Sequence, residues 1–118
     1  MLTAGQVQKI IIAALKSELL ILTVKSETAR EMCRDITDYI KNLGAEGCLQ
    51  NSSYVKNYDG IAFKGGYENI YIMSAEKWNF GKKPIFKGRV FITNKMITDV
   101  KYVSETPLPV AALWTERE

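Results

Sequence analysis

The chain has 118 residues, 47% of them hydrophobic, enough to bury one core without metal or disulfide, and it has no histidine. The missing histidine excludes the Ser-His and Cys-His arrangements of nucleophilic catalysis, because histidine is the side chain most used for proton transfer near neutral pH. The net charge of +3 is uneven: residues 1–53 hold six basic and six acidic groups, residues 54–102 nine against four, and residues 103–118 one against three, so an anion-facing surface is expected on the middle segment.

Thr3 stands three residues before Gln6, the spacing at which each side chain satisfies a free backbone N–H at a helix start. From Val7 to Leu15 apolar residues occupy nearly every side, as in a helix covered on most of its faces. The apolar run of residues 10–24 is interrupted by Lys16, Ser17 and Glu18 and falls short of the ~20 apolar residues that span a bilayer. Its first half, Ile10 to Leu15, is also shorter than a secretory signal's apolar region, so a cytoplasmic chain without membrane contact is expected. Periodicity does not separate helix from strand over residues 18–24; one long helix through Val24 is the expectation here.

A second helix follows, because Ala29, Met32, Cys33, Ile36, Tyr39, Ile40 and Leu43 recur at the spacing of one apolar face. Ser26 or Thr28 is its expected cap and Gly44 its expected end. The opposite face, with Arg30, Glu31, Arg34, Asp35, Asp38 and Lys41, reads as a solvated mixed-charge surface. Asp35 and Asp38, one turn apart, have metal-ligand spacing, which a solvated face explains more simply. Cys33 and Cys48 form no CxxC pair and have no histidine partner, so no zinc site is expected and reduced thiols are the simplest reading, with a disulfide between them the alternative that nothing in the sequence prompts.

Beyond Gly47 β-branched and aromatic residues punctuated by turn pairs indicate antiparallel strands. Asp59-Gly60 and Gly65-Gly66 read as two-residue hairpin turns around a short strand, IAFK. They are not a nucleotide loop. A Walker-type cradle needs GxxxxGK[ST] between strand and helix, whereas here Lys64 precedes the glycines and a strand-like run, Tyr67 to Met73, follows. SAEKWNFGKKP reads as a loop with one helical turn from Ser74, and PIFKGRVFIT, Asn94-Lys95 and MITDVKYV as a second hairpin. The two prolines of SETPLPVAALWTERE argue against regular pairing. The expected fold is therefore α+β, with two N-terminal helices packed on an antiparallel sheet of four to five strands in hairpins or a meander. Residues 1–103 form the single domain and residues 104–118 an extended tail.

The strongest functional signal is the interleaving of basic and aromatic residues between 54 and 102. Single-stranded nucleic acid is held by such a set, aromatic faces stacking on bases and cations following phosphates. Strand alternation places Ile85, Lys87, Arg89, Phe91 and Thr93 on one face, read as solvent-facing, and Phe86, Val90 and Ile92 on the core side. The leading expectation is a non-catalytic module that binds nucleic acid or a nucleotide without a cofactor. Lys82, Lys83, Lys87, Arg89 and Lys64 are its phosphate contacts, and Tyr58, Tyr67, Trp78 and Phe80 its stacking groups. The alternative is a protein-binding inhibitor or adaptor, of the kind phages and mobile elements encode. It would act through the Trp78/Phe80 loop or through Leu113 and Trp114 of the tail, with a homo-oligomer among its forms. A third reading rests on Asp59 and Asp99-Val100-Lys101, which resemble the acid and D/E-x-K elements of metal-dependent nucleases; that resemblance implies carboxylates holding magnesium and a lysine orienting water. KGRVFITNKMI is similar to the GRAM-type strand-turn-strand signature of lipid-binding sheets, but two preceding helices lie outside that pattern, so no family is assigned from it.

Overall fold

A computed structural model describes residues 2–81, 86, 88–94 and 97, and the backbone of 110–112. Helix α1 (Ala4–Ala14) begins with the expected reciprocal cap: the Gln6 N–H donates to Thr3 Oγ1 at 3.2 Å, and the Thr3 N–H to Gln6 Oε1 at 2.9 Å. The long helix through Val24 does not form. The chain leaves α1 at Leu15, and Leu19–Thr23 is strand β1, with every residue buried. A central strand covered on both faces is apolar throughout, so it lacks the alternation that identifies half-buried strands.

Helix α2 (Ser26–Asn42) buries Ala29, Met32, Ile36 and Ile40 as the periodicity requires, while Leu43, just beyond it, is exposed. Its N-cap is Lys25, without a side-chain capping bond, and the Ser26 hydroxyl donates to Ser74 Oγ at 3.4 Å instead of capping the helix. Gly44 ends the helix at φ 72°. Its N–H donates to Lys41 O and that of Ala45 to Ile40 O, which satisfies two otherwise orphaned carbonyls. The α1–α2 pair is tied by Leu2 N–H to Asp35 Oδ2 at 2.8 Å and Gln8 Nε2 to Tyr39 Oη at 2.8 Å.

After a 3₁₀ turn at Glu46–Cys48 come β2 (Leu49–Asn51), β3 (Tyr54–Val55), β4 (Tyr58–Phe63) and β5 (Ile70–Ser74). Helix α3 (Ala75–Phe80) extends the single turn expected from Ser74, whose hydroxyl accepts the Lys77 N–H at 3.1 Å. Then follow β6 (Arg89–Ile92) and β7 (Val110–Ala112). The strands join in the order β2-β4-β5-β1-β6-β7, with β3 also on β4. The sheet is mixed, not antiparallel: β1 runs parallel to both β5 and β6, and β6 to β7, while the pairs of β4 with β2, β3 and β5 are antiparallel. Insertion of β1 at the centre supplies two of the three parallel pairs.

Both expected tight turns move. Tyr54 pairs with Asp59 and Val55 with Tyr58, so the two-residue turn is Lys56-Asn57, at φ 52° and 77°. Gly60 lies inside β4. Gly65 and Gly66 belong to the longer connection between Phe63 and Ile70. The second hairpin is also corrected, because β6 has parallel neighbours on both edges and no edge left for an antiparallel partner. Val110–Ala112, from the segment read as an extended tail, adds a strand to the sheet; Pro107 and Pro109 both precede it, so all three residues keep their N–H groups.

Two cores result. On one face α1 and α2 pack over Leu19, Ile21, Ile61, Phe63, Ile70, Ile72 and Phe91. On the other, Trp78 of α3 and Phe86 pack over Leu20, Leu22, Ala62, Tyr71, Met73 and Val90. Among the described residues no helix is long and apolar enough to cross a membrane.

Candidate functional site

Helix α2 packs on β5 and β1, and the β3–β4 hairpin carries the sheet past the helix flank. Between them lies a cleft of about 420 Å³. Its helix wall is Ala29, Arg30, Cys33, Arg34, Thr37, Asp38 and Lys41, and its hairpin wall Ser52, Ser53, Tyr54 and Asp59. Positions 30, 34, 37, 38 and 41 recur three and four apart, so they form one stripe beside the buried one. The hairpin wall is held by Asn51 Oδ1, which accepts the Ser53 N–H at 2.8 Å and the Tyr54 N–H at 3.0 Å, and by the Gly60 N–H donating to Ser53 O at 3.2 Å.

The cleft lining holds three cations, Arg30, Arg34 and Lys41, and two carboxylates, Asp38 on the helix wall and Asp59 on the hairpin wall. Among the described residues Arg30, Arg34 and Lys41 make no ion pair, whereas the Asp59 carboxylate is engaged by the Lys77 ammonium. Burial, with the Asp59 carboxylate adding to it, pushes the Cys33 thiol up to about 12, which disfavours the thiolate, the reactive form.

At one end the cleft meets a crevice. Parallel neighbours β1 and β5 send the chain into α2 on one face of the sheet and α3 on the other, the arrangement that opens a gap outside the carboxyl ends of strands. Val24, Lys25, Ser26, Glu27, Ser74 and Glu76 line that gap, and Arg30 lines both it and the cleft. On the far side of Tyr54 a second hollow is lined by Gln50, Asn51, Val55, Lys56, Asn57, Ala62 and Asn69.

The residues singled out from the sequence do not gather at these places. Trp78 is corrected as a stacking group: it is 1% exposed and packs edge-on to Phe86 at 6.3 Å, because it faces the sheet from α3. Tyr58 is half-buried against Tyr71, and Tyr67 lies against Phe63 on the opposite face of the sheet, so the two share no surface. The solvent face expected of β6 is also corrected. Phe91 and Thr93 are buried because both faces of this inner strand are covered, and Arg89 is exposed with its guanidinium 4.9 Å from the Phe91 ring centre. Lys64 and Phe80 are exposed, on the β4–β5 connection and at the end of α3. None of these residues lines the cleft, the crevice or the hollow.

Lys82, Lys83, Lys87, Leu113 and Trp114 lie outside the described residues, as do Asp99 and Lys101 of the nuclease-like pair. Asp35 is used to dock α1, and among the described residues no three potential metal ligands cluster. Sequence reasoning passed over Arg30, Arg34 and Lys41 as a solvated face. Their common stripe was visible in the spacing; the hairpin opposite was not.

No family model, curated protein or solved structure matches this chain.

Proposed function

We propose that the chain is a non-catalytic binding module for phosphate-bearing ligands, nucleic acid or nucleotide, held in the cleft beside α2. The observation that carries this reading is the convergence of Arg30, Arg34 and Lys41 on one wall, with no ion pair to any of them among the described residues. Unpaired cations in a concave site attract polyanions and keep their charge for them. The anionic class is the one the basic middle segment suggested; its location moves from the outer strands to the second helix. Lys77 supports the reading by engaging Asp59, the one carboxylate of the hairpin wall.

The test is a titration with an oligonucleotide over a range of salt concentrations. Three phosphate contacts to a single strand correspond to a slope of about −2 in log K against log salt, at about 0.7 per contact. Arg30→Ala and Arg34→Ala are each expected to remove about 0.7 from that slope and to weaken binding at low salt. Salt-independent binding, or unchanged affinity in the double variant, contradicts the proposal.

A further inference from the structure

Tyr54 is 55% exposed and lines two concavities at once: the basic cleft, with Arg30, Arg34 and Lys41, and the hollow that contains Gln50, Lys56 and Asn57. Its backbone is fixed, since its N–H donates to Asn51 Oδ1 at 3.0 Å and it pairs with Asp59 across the Lys56-Asn57 turn. A ring held by its backbone while its side chain stays in solvent is poised as a platform, with the cations Arg30, Arg34 and Lys41 on one side and Gln50, Lys56 and Asn57 on the other. The cations are also spread out. Residues 30 and 41 lie eleven positions apart on α2, or about 16 Å along the helix axis, which is more than a single phosphate group covers.

We infer that the cleft takes single-stranded nucleic acid, with its phosphates along Arg30, Arg34 and Lys41 and one base stacked on Tyr54. The neighbouring amides of Gln50 and Asn57 then face the edge of that base. This deepens the phosphate-binding reading and rests on it. Duplex is disfavoured by the same geometry, because its bases are already stacked on one another and present no face to an aromatic side chain, whereas unpaired bases do. A mononucleotide would leave part of the cationic stripe without a phosphate.

The experiment compares four labelled ligands of about ten nucleotides at low salt: single-stranded DNA, single-stranded RNA, the DNA duplex, and an abasic DNA strand carrying the same phosphates. The wild-type protein is expected to hold a base-bearing single strand, of either sugar, more tightly than the duplex or the abasic strand. Tyr54→Ala is expected to weaken single-strand binding about tenfold while leaving abasic-strand binding and the salt slope as they are, and Tyr54→Phe to retain wild-type affinity. Two outcomes overturn the inference while phosphate binding survives: abasic and base-bearing strands binding equally, or Tyr54→Ala binding single strands like wild type. The first needs no variant and so does not depend on folding. If Arg30→Ala/Arg34→Ala binds every ligand as the wild type does, the phosphate-binding reading falls and this inference falls with it.

Discussion

At Gly60 the backbone of β4 passes so close to β5 that a Cβ would lie 2.2 Å from Ile70 O. The contact is with main chain, which cannot swing aside. Gly60→Ala is therefore expected to lower stability by about 2 kcal/mol or more, read as a shift of the urea midpoint. Gly47→Ala, where an added Cβ meets nothing within 4 Å, is expected to stay within about 0.5 kcal/mol of wild type. The Asp-Gly pair was legible as something that requires glycine, but the requirement comes from a neighbouring strand and not from a turn. Trp78 teaches a similar lesson. Its place between lysines and aromatics suggested a binding loop, yet composition says nothing about which way a side chain points once α3 docks on the sheet.

Capping and amphipathic spacing are local signals: the Thr3/Gln6 box, the Ala29, Met32, Ile36 and Ile40 stripe of α2 and the Gly44 terminus came out as read, whereas the Ser26 or Thr28 cap gave way to Lys25 and Leu43 is exposed. Strand β1 did not come out as read, because five consecutive buried residues carry no period. Its central place then rewrote the sheet, turning an expected antiparallel meander into parallel pairs with β5 and β6. At the far edge, β7 covers β6. Deleting residues 104–118 is expected to lower stability by on the order of 2 kcal/mol, read as a fall of the urea midpoint. It would also leave an unpaired β6 edge, so concentration-dependent association should appear in light scattering. A truncated protein as stable and as monodisperse as the full chain would show that β7 contributes nothing to the sheet.

Across the molecule, the sheet separates two cores, and each encloses a group that resists ionisation. Burial is the main cause in both cases. The Cys33 thiol is pushed from an ordinary value near 9 up to about 12, and the Tyr71 phenol from near 10 to about 12, with Glu18 and Tyr58 contributing. Both folded-state values lie above the unfolded ones, so the unfolded chain gives up these protons first as pH rises. Their contribution to stability is complete below about pH 9 and is lost between about 9 and 12. The urea midpoint is expected to fall across that window, and Cys33→Ala to remove the part of the fall nearest pH 9. The cleft has its own origin at this level. The hairpin stands beside α2 because β4 pairs with β5, the strand on which α2 packs, and that packing joins the helix to a strand about thirty residues later in the chain.

By itself the sequence determined the content of this protein: two N-terminal segments with helical signals, a β-rich remainder, an electropositive balance and no histidine for proton transfer. These follow from side-chain chemistry and from periods of three to four residues or two, which a linear chain displays directly. Only the tertiary structure decided that residues 19–23 are the centre of the sheet, that the aromatics of the middle segment divide between opposite faces, and that Arg30, Arg34 and Lys41 look across a cleft at Tyr54. Those facts depend on which strands become neighbours, and pairing between distant segments is set by the burial of two whole faces at once, a quantity that no local window of residues contains.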